Sequence, residues 1–216
     1  MPEQEDSLRS SFLMKQFKIL KTMALLAAVS PVFLQAQNTE SVMVMEAYSG
    51  KVLVASNASV RRPVASLTKI ATGAVAIDWA VATGSDIGTV NLTVPQTITL
   101  VGGPNPMNLQ PGDQISLRDA LYSALLGSDN LAALTIADHV GRELLTRRGK
   151  TGEPVSAFVD EMNKLSKAIG MTQTRFANPH GLEREGAKAY STAADIARIS
   201  IYAMRKNAFN FIVRQP

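Results

Sequence analysis

The 216-residue sequence predicts an α+β fold in which a helical lobe packs on an antiparallel sheet. Three observations lead to it. Residues 41–55 hold two short strand-like segments on either side of a glycine turn. Five stretches between residues 66 and 206 then read as helices with recognisable start or stop signals. Hydrophobic residues make up 46% of the chain, enough for the packed core of one domain or of two small lobes.

The elements follow in order. Ser41-Val42-Met43-Val44-Met45-Glu46-Ala47 and Val52-Leu53-Val54-Ala55 are predicted strands, and Tyr48-Ser49-Gly50-Lys51 supplies the glycine a tight hairpin turn needs. A long helical pattern covers 66–82 and is stopped by Gly84. Residues 85–113 are rich in Gly and Pro and predict loop, with a short strand near 97–100. Ser116 can cap the free N–H groups of a helix reaching Leu126, and Asp119 suits its positive first turn. Gly127-Ser128-Asp129 interrupts, and a further helix is predicted over 130–147. After the loop 148–154 comes a helix over 155–169, ending at Gly170, and a last one over 192–206. There is no internal repeat and no low-complexity tract.

The N-terminus reads as a secretory signal over 1–36. Lys15, Lys18 and Lys21 precede an apolar run from Met23 to Leu34, and Gln35-Ala36-Gln37 offers a cleavage point. The run is too short for a membrane span. Glu3, Glu5 and Asp6 fit a signal poorly, so 1–13 reads as a start-site extension with Met14 as the natural start. Residues 37–216 form the predicted folded domain, which reads as partial. The net charge is +4, with basic residues scattered, which argues against nucleic acid as a partner. The chain has no cysteine, so disulfides, thiolate catalysis and cysteine-based zinc sites are excluded. Two histidines, His139 and His180, are too few for a convincing zinc centre.

Two short motifs carry chemistry. In Ser66-Leu67-Thr68-Lys69, residues three apart lie on one helix face, with Cβ atoms about 5–6 Å apart. Near a helix start, the positive dipole end and partial desolvation both favour a neutral Lys69, which can take the Ser66 proton. Alone, this pattern is as common on solvated helix faces. Ser128-Asp129-Asn130 falls between two helices, where a polar turn can project a hydroxyl and an amide into a cleft; a helix break with an Asn cap is the plainer alternative.

Taken together, the two motifs, 62 residues apart, have the order found in penicillin-interactive serine enzymes. Pro63-Val64-Ala65-Ser66-Leu67-Thr68-Lys69-Ile70-Ala71-Thr72 resembles the nucleophile segment of low-molecular-weight penicillin-binding proteins. The Ser49–Leu53 turn and Leu109-Gln110-Pro111-Gly112-Asp113 fit the same family. Most specific is Thr174-Arg175-Phe176-Ala177-Asn178-Pro179-His180-Gly181-Leu182, followed by Ser191-Thr192-Ala193-Ala194-Asp195-Ile196-Ala197, which resembles a signature of the D-alanyl-D-alanine carboxypeptidases. The resemblance covers about residues 41–206.

The resemblance implies a penicillin-binding/β-lactamase-like fold and acyl transfer on peptidoglycan stem peptides ending in D-Ala-D-Ala. Ser66 would be the acylated nucleophile and Lys69 its base. Ser128 would relay a proton to the leaving amine, and Asn130 would hold Lys69 and the substrate backbone. It implies β-lactams as inhibitors, no cofactor, no metal, and a location in the periplasm or cell envelope. In this family the His-Gly element shapes a loop, so His180 is not expected to be a base. His139 is expected to be a surface or packing residue.

Lys150-Thr151-Gly152 matches the letters of the family's third motif but not its place. That motif belongs on a sheet strand after the helical lobe, whereas Lys150 lies 20 residues after Asn130 beside Gly149 and Pro154. Lys150 therefore reads as a decoy, and the substrate-binding residues stay unassigned. A class A β-lactamase would add E-x-x-L-N, which Glu161-Met162-Asn163-Lys164 does not match. A non-catalytic peptidoglycan-binding protein is the other alternative, and covalent labelling of Ser66 by a penicillin discriminates it.

With no later K-T-G before Pro216, the sequence reads as a domain stopping short of its third wall. Loss of one oxyanion donor alone costs about 10²–10³ in rate, and a lone hairpin is marginal in water. Purified residues 37–216 are accordingly expected to show little D-Ala release, little penicillin labelling, and a low melting temperature or dimerisation. Rapid, stoichiometric acylation of a monomeric 37–216 would contradict this.

Overall fold

A computed structural model describes residues 40–183 and 188–215. The secretory-signal reading of 1–36 lies outside the described residues. The chain opens with an antiparallel hairpin of β1 (Val42–Met45) and β2 (Val52–Ser56), with Val44 opposite Val54. The Glu46 carboxylate accepts the Tyr48 and Ser49 amides and the Ser49 hydroxyl, and Gly50 has φ 72°, which closes the turn. Among the described residues, β1 and β2 pair only with each other.

The centre of the helical lobe is α1 (Thr68–Thr83). Ala71, Gly73, Ala74, Ala76 and Ala80 keep it slim, so neighbours close on it from several sides. A Cβ at Gly73 would stand 3.1 Å from the Phe209 ring and 3.2 Å from Leu125. Gly84 ends α1 in the left-handed conformation, as its position in the sequence predicts. Around α1 stand α2 (Leu117–Leu126), α3 (Asn130–Arg147), α4 (Pro154–Ala168), α5 (Ala193–Met204) and α6 (Asn207–Val213). Leu121, Ile136, Phe158, Met162 and Ile199 are buried almost completely between them. Each such side chain contributes roughly 1.5–3 kcal/mol by leaving water. Ser116 caps α2 by accepting the Asp119 amide, as the sequence suggests.

The helices match their predicted spans closely, and the differences have local causes. Ser66 lies in a one-turn 3₁₀ segment, Ala65–Leu67, rather than in α1, because Ala65 at φ 41° bends the entry. The strand expected near 97–100 is a 3₁₀ turn, Gln96–Leu100, which buries Ile98 and leaves Leu100 exposed. The strands of this region are β3 (Asn91–Thr93) and β4 (Gln114–Ser116), a small antiparallel pair on either side of the Pro/Gly-rich loop. The last predicted helix stops at Met204, and α6 follows it. Among the described residues, no helix is long and apolar enough to cross a membrane.

Candidate active site

The two sequence motifs meet in space. Ser66 stands exposed in the 3₁₀ turn, and Lys69 lies buried in the first turn of α1. Lys69 Nζ is 3.2 Å from Ser66 Oγ, 3.4 Å from Ser128 Oγ and 2.7 Å from Asn130 Oδ1. Ser128 Oγ donates to Ser66 Oγ at 2.9 Å. The two hydroxyls and the amine therefore form a closed triangle, with the Asn130 amide beside it.

Local structure explains the placement. Ser128 sits at φ 54° between α2 and α3, a conformation uncommon for a residue with a side chain. Asp129, fully buried, caps α3 by accepting the Leu131 and Ala132 amides at 2.8 and 3.0 Å, and accepts the Ser123 hydroxyl at 2.7 Å. The cap turns Asn130 inward, where Nδ2 donates to Gly102 O at 2.9 Å and the backbone amide donates to Pro104 O at 3.0 Å. With Nδ2 tied to Gly102, Asn130 presents its oxygen to Lys69. The Gly102–Pro104 loop thus fixes which way the amide faces.

Lys69 has a fourth partner that the sequence motifs did not reveal. The His180 backbone carbonyl accepts from Nζ at 2.9 Å. The loop that offers it is templated by Asn178, whose Oδ1 accepts the His180 and Gly181 amides at 3.2 and 2.6 Å and whose Nδ2 donates to Leu182 O at 2.6 Å. The His180 Nδ1 accepts the Leu182 amide at 3.1 Å. His180 thus touches the lysine through its carbonyl while its ring braces its own loop. The motif was visible in the sequence; a backbone acceptor has no side-chain signature.

Burial pulls the Lys69 ammonium down to about 8 from the usual 10.5, and the Asp129 charge opposes that shift. The cleft in front of the triangle has a volume of about 430 Å³ and is lined by Val64, Ser66, Leu67, Lys69, Leu125 and Ser128 among others. The arrangement can do one thing readily: take a proton from Ser66 and hand one onward through Ser128.

Lys150 stands exposed in the α3–α4 loop, where its amide donates to Leu145 O, and it does not line the cleft. His139 packs edge-on against Trp79 with ring centroids 5.6 Å apart. Among the described residues, no group of three or more acidic or histidine side chains is placed to hold a metal ion.

The family model described as D-alanyl-D-alanine carboxypeptidase matches residues 27–214. The chain belongs to this family. The D-alanyl-D-alanine carboxypeptidase DacA of Escherichia coli strain K12 is 30% identical over an alignment covering 90% of this chain and 53% of the relative. A D-alanyl-D-alanine endopeptidase of Pseudomonas aeruginosa is 32% identical over 74% of this chain and 46% of the relative. The chain therefore spans about half the length of these curated relatives. A solved D-alanyl-D-alanine carboxypeptidase from Mycobacterium tuberculosis H37Rv superposes with a TM-score of 0.68 at 28% identity, covering 82% of this chain and 60% of that one. The α+β architecture read from the sequence is the fold of these neighbours.

Gly181 has φ 88°, and a Cβ there would run into the Ala65 carbonyl just before Ser66. Gly181→Ala is expected to push this loop and the Ala65–Leu67 turn apart, costing about 1–3 kcal/mol and visible as a lower melting temperature. An unchanged melt would show that the contact is easily relaxed.

Proposed function

We propose that the protein is a serine-type D-Ala-D-Ala carboxypeptidase that acts on peptidoglycan stem peptides through an acyl-enzyme on Ser66. The observation that carries this reading is the hydrogen-bonded triangle of Ser66, Lys69 and Ser128 around an amine whose charge is weakened by burial.

Neutral Lys69 accepts the Ser66 proton as Oγ attacks the penultimate carbonyl. The tetrahedral adduct collapses, the peptide C–N bond breaks, and D-alanine leaves. Its nitrogen needs a proton, which travels from the lysine through the Ser128 hydroxyl. Water then attacks the ester and gives its proton to Lys69; the ester C–O bond breaks as Lys69 returns that proton to Ser66 Oγ, and the shortened peptide leaves. Asn130 holds the amine in place and, by family resemblance, meets the substrate backbone. No step calls on a metal or a cofactor. β-Lactams would acylate the same Ser66. The N-terminal signal reading supports a location in the periplasm or envelope. The similarity to a relative named as an endopeptidase keeps cleavage of D-Ala-containing cross-links within the same chemistry.

The test uses the protein at its natural length, as purified from its source cells, with penicillin as the probe. Intact-mass analysis should show one penicilloyl group, mapped to the Ser66 peptide and absent from Ser66→Ala. The labelling rate should climb about tenfold per pH unit below the Lys69 midpoint and level off above roughly pH 8, because only the unprotonated amine accepts a proton. Labelling that survives Ser66→Ala would remove Ser66 from the mechanism. A rate independent of pH between 6 and 9 would remove Lys69 as its base.

A further inference from the structure

Thr72 lies one turn after Lys69 on α1 and is 1% exposed. A threonine inside a helix usually gives its hydroxyl to the carbonyl four residues back. Thr83 and Thr135 do so here, to Trp79 O and Leu131 O, each at 2.9 Å. Thr72 does not. Its Oγ1 donates across to Pro179 O at 2.6 Å, with the Met162 sulfur 3.9 Å away.

That carbonyl belongs to the peptide unit just before His180. The oxygen of the unit is held by Thr72, and its N–H is held by Asn178 Oδ1. The next unit gives its oxygen to Lys69 and its N–H to the same Asn178 Oδ1. Two successive peptide planes are therefore pinned at both ends, and two of the four pins, from Lys69 and Thr72, come from α1 itself. Lys69 and Thr72 grip adjacent carbonyls of one loop from positions three apart on one helix face.

We propose that Thr72 is a positioning residue for the reaction: by fixing the Pro179–His180 peptide it sets the carbonyl that orients the Lys69 amine toward Ser66. This rests on the acyl-enzyme reading above. Without the Thr72 hydroxyl, the Pro179 carbonyl is left buried and unpaired, the loop turns to satisfy it, and Lys69 loses an acceptor. The other groups that bear on Lys69 stay in place: Asp129 at the α2–α3 turn and the neutral Ser66, Ser128 and Asn130; the His180 imidazole moves with its loop.

The experiment compares the natural-length protein with Thr72→Val, which keeps shape but not the hydroxyl, and Thr72→Ser, which keeps the hydroxyl. Two quantities are read. One is the penicillin acylation rate constant, separated from the encounter constant by varying concentration. The other is the Lys69 titration midpoint, followed by ¹³C NMR of labelled lysine. Thr72→Val is expected to slow acylation about tenfold to a hundredfold with the encounter constant unchanged. It should also lower the Lys69 midpoint, since a lost carbonyl acceptor disfavours the charged amine. Thr72→Ser is expected to restore both. A Thr72→Val protein with the parental rate and midpoint would overturn the proposal. If that variant does not fold, Thr72→Ala, which leaves room for water at Pro179, carries the same two readings. A parent that is not labelled at Ser66 defeats the acyl-enzyme reading instead, while the Lys69 midpoint still decides whether Thr72 positions the amine.

Discussion

A lysine amine buried with, among the described residues, no carboxylate in contact is the constraint on which the rest of this site depends. Removing an ammonium from water costs several kcal/mol even after the protein relaxes. The structure answers with neutral acceptors: the Asn130 oxygen, the His180 carbonyl and the two hydroxyls. These compensate the charge without fixing it, as a paired carboxylate would. The result is an amine close to half-protonated near pH 8, able to serve as base and then as acid in one cycle.

The fold can be understood as the means of bringing those acceptors together. They come from positions 3, 59, 61 and 111 residues away from Lys69 in the chain. The slim, alanine-rich α1 lets α2 and α3 approach closely enough for their connecting turn to reach the lysine. Asp129, by capping α3, holds that turn against the core and places Ser128 and Asn130 on either side of it. The Asn178–Leu182 loop closes the remaining side and presses on Ala65, whose positive φ sets Ser66 at the mouth of the cleft. Backbone strain at Ala65 and Ser128, the two non-glycine residues with positive φ that flank Ser66, Lys69 and Asn130, falls at the candidate site.

Much of this was legible in the sequence because it is local. Spacing by three on a helix, a serine or aspartate at a helix start and a glycine at a helix end each declare themselves within a few residues. Ser66 and Lys69 drew notice by their spacing, but Ser66, Lys69, Ser128 and Asn130 were singled out together by the order of the two motifs and the family resemblance; the structure brings all four together. The missed features are those with no local signature. The His180 carbonyl resembles every other carbonyl until the chain folds, and its contact spans 111 residues. The Gly102–Pro104 loop that orients Asn130 read only as turn-forming residues. Strands β3 and β4 are three residues each, too short for alternation to register, while the β-favouring letters of 97–100 were overruled by the need to bury Ile98 alone.

The central claim is that Lys69 acts by accepting a proton and not merely by its charge. Replacing it with arginine keeps the charge and removes the basicity at neutral pH. The most direct measurement is the rate of penicillin acylation of Lys69→Arg in the natural-length protein, with folding checked by its melt. The account predicts a loss of about a hundredfold or more; acylation at the parental rate would contradict it.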